Sequence, residues 1–288
     1  MKLAAAPISW GLCEVPGWGF QLDMGRVLAD AVRLGLRDIE AGPPGFLPSD
    51  ARAARASVER HGVRVIGGFV TAVLHRRERL DAELAALETQ ARWLAEIGSE
   101  VLVLAAATGR ADYDVAASLS DAEWKALLAA LPKVVGIAKS HGLVTALHPH
   151  VGTVVERPDA IDRVLRDSHV PLCLDTGHVF VGGGDPVAIA REHPDRVRHV
   201  HLKDADAALS AAVRERRVPY AKAVARGLFR PLGQGDARIA DVLAALKAAR
   251  YDGWAVLEQD IALGEAPTEA NDPACDVARS RDFALAHG

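Results

Sequence analysis

A three-part step recurs along the chain: an amphipathic segment, a glycine one or two residues past its end, then a short apolar run. Gly35, Gly62, Gly98 and Gly142 hold the glycine position. A glycine there suits a left-handed helix C-cap, so each marks a helix that ends just before a strand. The strand readings are residues 2–6, 37–41, 64–69, 100–106, 143–148, 171–175, 197–202 and 254–258. These runs are continuously apolar rather than alternating, as strands covered on both faces are. The helix readings are 24–34, 51–61, 79–97, 121–140, 159–166, 186–192 and 239–250, with a last one at 274–286. Ser120, ahead of Asp121 and Glu123, reads as an N-cap.

About eight such units predict a parallel sheet with helices outside it. A closed barrel and a doubly wound open sheet both satisfy that pattern. The open sheet usually carries a glycine-rich fingerprint after its first strand. Here the first strand runs into Pro7-Ile8-Ser9-Trp10-Gly11, so the expected fold is an α/β, (β/α)8 TIM barrel. One domain over residues 1–288 is an ordinary length for it. Residues 205–230 interrupt the alternation after the seventh strand. That segment is helix-prone and charged, and is expected to lie over the active face.

Half of the residues are hydrophobic and a quarter charged, enough for a large core. A net charge of −4 without a basic stripe argues against nucleic acid as a partner. Cys13, Cys173 and Cys275 are odd in number and unpatterned, which fits a reducing cytoplasm better than a disulfide framework. Pro7, Ser9 and Trp10 break the opening apolar run before it reaches signal-peptide length. No run approaches the ~18 apolar residues of a membrane span. The expected partner is a small sugar or cyclitol, with a homo-oligomer as a further expectation.

Four of the apolar runs close on His148, Asp175, His201 and Glu258. In a closed parallel barrel those strand ends converge on one face. Two imidazoles and two carboxylates together would hold one divalent cation. A single strand-end histidine is more often a hydrogen-bonded rim residue; four in equivalent positions favour the metal reading. Residues two apart share a strand face, which pairs His148 with His150 and His199 with His201. Asp175-Thr176-Gly177-His178 reads as a tight turn that brings His178 to the rim. Lys203 follows in His199-Val200-His201-Leu202-Lys203-Asp204, where it could bind a substrate oxygen or move a proton, its pKa falling beside a cation. A salt bridge to Asp204 or Asp175 is its structural alternative. Lys203, His178 and His150 are therefore the acid–base candidates. Trp10 is read as an apolar pocket wall, with Trp18 behind it; plugging the barrel mouth is the rival role. Glu40 is read as a substrate hydroxyl ligand or base, against an internal salt bridge, and Glu156 as a further polar contact. The glycines of residues 229–236 could cradle a phosphate, but no P-loop lysine accompanies them and turn formation suits them better.

Taken together, these residues resemble the xylose-isomerase-like superfamily of TIM barrels. That group includes sugar isomerases, ketose 3-epimerases, inosose dehydratases and metal-dependent AP endonucleases. The resemblance runs from the first strand to about Glu258. The pieces Ala6-Pro7-Ile8-Ser9-Trp10-Gly11, His148-Pro149-His150-Val151-Gly152-Thr153, Leu174-Asp175-Thr176-Gly177-His178, His199-Val200-His201-Leu202-Lys203-Asp204 and Gly233-Gln234-Gly235-Asp236 are most similar to inosose (2-keto-myo-inositol) dehydratases. The resemblance implies that Asp175, His201 and Glu258 are metal ligands. A fourth ligand, glutamate in the epimerases and isomerases, is His148 here. Replacing that carboxylate raises the site's charge by about one unit and strengthens the ion as a Lewis acid.

The implied activity is a metal-dependent lyase of inositol catabolism that dehydrates a cyclic polyhydroxy ketone through an enolate. Mn or Co is the expected ion, with Mg or Zn as alternatives. A sugar isomerase or ketose epimerase would share the enolate and reprotonate it, without loss of water. An AP endonuclease would gather about three metals and show a basic surface. A non-catalytic sugar-binding module would keep its ligand after metal removal.

Overall fold

The computed structural model describes residues 1–110, 113–114 and 117–288. In chain order the first strands are β1 (Lys2–Ala5), β2 (Asp38–Glu40), β3 (Arg64–Ala72), β4 (Val101–Ala106), β5 (Val144–Leu147), β6 (Leu172–Asp175) and β7 (Val197–Leu202). A two-stranded antiparallel ribbon follows, β8 (Asp204–Ala205) with β9 (Phe229–Arg230), and then β10 (Trp254–Leu257). Among the described residues, β1 to β7 and β10 are parallel and close into a barrel, β10 pairing with both β7 and β1. The (β/α)8 expectation is met.

The helices are α1 (Met24–Arg33), α2 (Ala51–Arg60), α3 (Arg77–Glu96), α4 (Asp121–Ser140), α5 (Pro158–Asp167), α6 (Thr176–Val181), α7 (Pro186–Glu192), α8 (Ala207–Arg214), α9 (Tyr220–Ala225), α10 (Ile239–Ala248) and α11 (Pro273–His287). Gly35, Gly62, Gly98 and Gly142 all have positive φ, between 69° and 95°, just past their helices. Ser120 and Glu123 form a reciprocal capping box at the start of α4. No described helix is long and apolar enough to cross a membrane.

Strand alternation explains both layers of the core. Val101, Val103, Ala146, Cys173 and Val256 belong to a cluster that fills the barrel interior. Their neighbours Leu102, Leu104, Leu147, Leu172, Leu174 and Leu257 belong to the larger cluster that the helices cover. Extending the inward series by two residues gives His148 after Ala146, Asp175 after Cys173 and Glu258 after Val256. The same period that buries small side chains in the barrel therefore aims polar ones at its C-terminal mouth.

The inserted segment forms α8 and α9 between the ribbon strands. It is anchored by its own apolar cluster, in which Tyr220, Val213 and Phe229 meet Trp18, Val151 and Val181. Burying these side chains fixes the insertion over the barrel mouth, as the sequence suggested. One local expectation is corrected. Residues 175–178 are not an isolated tight turn: Asp175 is the N-cap of α6, and its carboxylate accepts the His178 N–H at 2.7 Å.

Candidate metal centre

Asp175 and His201 are direct partners across the β6–β7 ladder, and His201 pairs with Val256 across β7–β10. Glu258 lies two residues beyond Val256, on the same face. These registers bring three ligand atoms together. His201 Nδ1 is 2.7 Å from Glu258 Oε2 and 3.5 Å from Asp175 Oδ2. Asp175, His201 and Glu258 each place a ligand atom within 4.8 Å of the other two. From β5, His148 Nε2 reaches Asp175 Oδ2 at 3.2 Å. His201 Nδ1 is buried and makes no directed hydrogen bond among the described residues. With Nε2 held by Glu40, His201 would offer its Nδ1 lone pair among these carboxylate oxygens on giving up its proton to a divalent ion, which is a donor set such an ion takes. The residues fit such an ion, and all four sequence candidates belong to this cluster.

Behind these four candidates lies an ordering shell. Glu40 Oε1 meets His201 Nε2 at 3.1 Å and His199 Nε2 at 2.8 Å. Asp175 and His178 are bridged to Lys203, whose Nζ lies 3.3 Å from Asp175 Oδ2 and 3.0 Å from His178 Nε2. The same ammonium is 2.7 Å from Glu258 Oε1 and 2.7 Å from Asp260 Oδ1. Asp260 in turn accepts a hydrogen bond from Tyr220 of the insertion at 2.6 Å.

These contacts set the charges. Burial alone would raise the Asp175 carboxyl, but Lys203, His178, His148 and His201 outweigh it and hold Asp175 well below its usual range. Glu258 is likewise brought down to about 2, against burial, by His201 and Lys203. Burial opposes charge on His201 too, yet Cys173, Glu258 and Glu40 raise it well above the usual imidazole value. Asp175, Asp260 and Glu258 overcome burial and hold the Lys203 ammonium well above 10.5. His150 goes the other way: burial, then His148 and Lys203, bring it down to about 3.

Other sequence candidates divide. His148, His150, His201, Glu40 and Glu258 line one cavity of about 760 Å³ at the barrel mouth. Trp10 does not: it is fully buried in the core between barrel and helices. Its neighbour Trp18 lines the cavity instead, held by an Nε1–H bond to the Ile261 carbonyl at 2.8 Å. Glu156 lies outside the cavity lining. It accepts the Gly152 N–H at 3.0 Å and pairs with Arg216 at 3.3 Å, so it ties the β5–α5 loop to the insertion. Nor do the glycines near residue 235 form a free phosphate cradle. Asp204 already accepts the N–H groups of Gly233, Gly235 and Ala237 at 2.8–3.0 Å; an aspartate two past a core leucine was the available signal.

Asp260 and Tyr220 are missing from the sequence candidates. Asp260 was reachable, because it continues the inward period two residues past Glu258. Tyr220 sits in an irregular insertion whose docking no period reports.

A closed barrel with a buried carboxylate–imidazole cluster at its C-terminal mouth defines a metal-site TIM barrel. The sequence profile of the family described as xylose isomerase-like TIM barrel matches residues 28–280, and this chain belongs to that family. Its relatives include an inosose dehydratase of Geobacillus kaustophilus, 30% identical over 270 residues, which cover 90% of this chain and 87% of the relative. The rhizopine catabolism protein MocC of Rhizobium meliloti is also 30% identical, covering 90% of this chain and 82% of that one. Among solved structures, the IolI protein with a bound zinc atom superposes with a TM-score of 0.70 at 15% identity, over 99% of this chain and 97% of that one.

Proposed function

We propose that this protein is a metal-dependent dehydratase of a cyclic polyhydroxy ketone of the inosose kind. The carrying observation is the donor set itself: His148, rather than a carboxylate, stands beside Asp175, His201 and Glu258. The inosose dehydratase relative, aligned over nine-tenths of this chain, supports the same reading. Asp175, His201, Glu258 and His148 would hold the ion, with Mn or Co as its expected identity. A bound divalent ion polarises a ketone oxygen and acidifies the adjacent C–H. Three free cysteines fit a cytoplasmic setting.

Proton movement falls to this chain's own residues. His150 faces the cavity, and its Nδ1 lies 2.7 Å from the Val151 carbonyl. A carbonyl only accepts, so Nδ1 carries the hydrogen and Nε2 keeps its lone pair. His150 is therefore a neutral base for the proton on the carbon next to the ketone. The environment that makes it a weak base makes its protonated form a strong acid, able to return that proton to the departing β-hydroxyl. The C–H and C–O bonds break, water leaves, and a C=C bond forms. The His178 ring packs against His150 with centroids 3.7 Å apart and planes tilted by 36°, and Lys203 donates to His178 Nε2. These two residues position the base rather than touch the substrate.

The test is to incubate inosose with Mn-, Co- or Zn-loaded protein and to follow product mass. Loss of one water supports the dehydratase. A product of unchanged mass would replace it with an isomerase or epimerase.

A further inference from the structure

The cavity has walls of two kinds on opposite faces of β3, where a Cβ on Gly67 would approach Glu40 and one on Gly68 would meet Leu94 and Ala41. At the barrel mouth the walls are Glu40, His148, His201, Glu258 and Asp260. The opposite end runs under the loop at residues 42–49 toward α3, where the walls are Pro43, Leu47, Pro48, Val70, Trp93 and Leu94. Exposed Ser49, Thr89 and Gln90 rim that end. At about 760 Å³ the whole space lies in the upper part of the ~300–1,000 Å³ range that holds drug-sized ligands. A bare six-membered polyol at the polar end would leave the apolar end unfilled.

Charge narrows the occupant further. No lysine or arginine is among the described residues that line the cavity, whereas Glu14, Glu40, Glu258 and Asp260 are. The nearest buried ammonium, Lys203, is already engaged by Asp175, Glu258 and Asp260. The charge of a divalent ion would be balanced by Asp175 and Glu258. A phosphate or carboxylate on the substrate would thus face carboxylates without a cation to pair with, at a cost that rises as water is excluded.

From these two observations we infer that the substrate is an uncharged cyclic keto-polyol that carries an apolar ether or glycosidic substituent, with the substituent seated between residues 42–49 and α3. The inference rests on the dehydratase reading for the ring and on the cavity alone for the substituent. Trp93 supplies the flat apolar wall at the far end, and Thr89 stands at the opening.

The experiment compares bare inosose, its O-methyl, O-propyl and O-pentyl ethers across ring positions, and an inosose monophosphate. Each is assayed with Mn-loaded protein by water loss, and binding is measured in parallel by calorimetry. For one positional series, kcat/KM should rise by roughly fourfold per added methylene until the lobe is filled. The monophosphate should show no measurable binding. Thr89→Trp, an exposed change on α3, should abolish the chain-length gain, and Trp93→Ala should reduce it. If inosose is dehydrated but chain length brings no gain in any series, or the monophosphate is preferred, the inference falls while the dehydratase stands. If no ring is dehydrated but affinity still rises with chain length, the lobe stands and the dehydratase reading falls.

Discussion

Asp175 shows how much one side chain carries at this site. One oxygen caps α6, while the other meets His148, His201 and Lys203. Lys203 compensates Asp175, Glu258 and Asp260 together. Lys203→Met should therefore leave buried carboxylates unpaired and lower the stability of the chelated protein by about 3–5 kcal/mol, measured by urea unfolding. Added Mn should recover part of that loss, because the ion supplies positive charge to two of the same carboxylates. His150→Gln tests a different role. It should lower turnover by roughly 10²–10⁴ with metal content and melting temperature little changed; loss of metal would instead make His150 part of the ion's support. At this scale the sequence was legible wherever strand alternation ran unbroken. It marked His148, Asp175, His201 and Glu258, whose positions follow from parity. It misjudged Trp10, because ring burial depends on which side of the first βα loop the side chain turns, and periodicity is silent in a loop.

Among the elements, α6 is the one on which the site's geometry most depends. It begins directly after its N-cap Asp175, a candidate metal ligand, and packs against β7, so its second residue must be small. A Cβ on Gly177 would lie 2.5 Å from Lys203 Cγ. Gly177→Ala should therefore destabilise by about 1–3 kcal/mol through overpacking, even though alanine is the better helix former by about 1 kcal/mol. A thermal melt followed by circular dichroism checks the sign: a gain in stability would mean that Lys203 moves aside freely. The helix–glycine–strand steps were readable because helix termination is local, needing only a residue that tolerates positive φ. The start of α6 was not read as a helix, since only six residues follow Asp175 and the signal of 3.6-residue periodicity does not build up over so few. The glycines after β9 were ambiguous for a related reason: whether backbone N–H groups cradle a ligand or an internal carboxylate depends on Asp204, about thirty residues away in sequence.

For the whole molecule, the buried cluster makes stability depend on pH. Glu258 has a folded value near 2 against an ordinary 4.5. A depressed carboxyl contributes stability that is present above its unfolded value and is lost as pH falls through its folded one. Glu40 and Asp175 act in the same direction. His201 is raised, so its contribution is present below about 6.5 and fades only as pH rises through its elevated folded value. The chelated protein should thus lose urea resistance steadily between about pH 4.5 and 2; a flat midpoint over that window would contradict the charge assignments. The sequence by itself determined the barrel, since helix ends and doubly buried strands are written in local pattern. It also determined the ring of candidate ligands, since alternation decides which way each strand-end side chain points. Only tertiary structure decided how the cluster is balanced and what the cavity can admit. Lys203 stays charged because three carboxylates, Asp175 at the end of β6 and Glu258 and Asp260 just past β10, surround it. Tyr220, Trp18 and α3 become walls only when an insertion, a loop and an outer helix fold back over the mouth, and no local pattern in the chain encodes those long-range meetings.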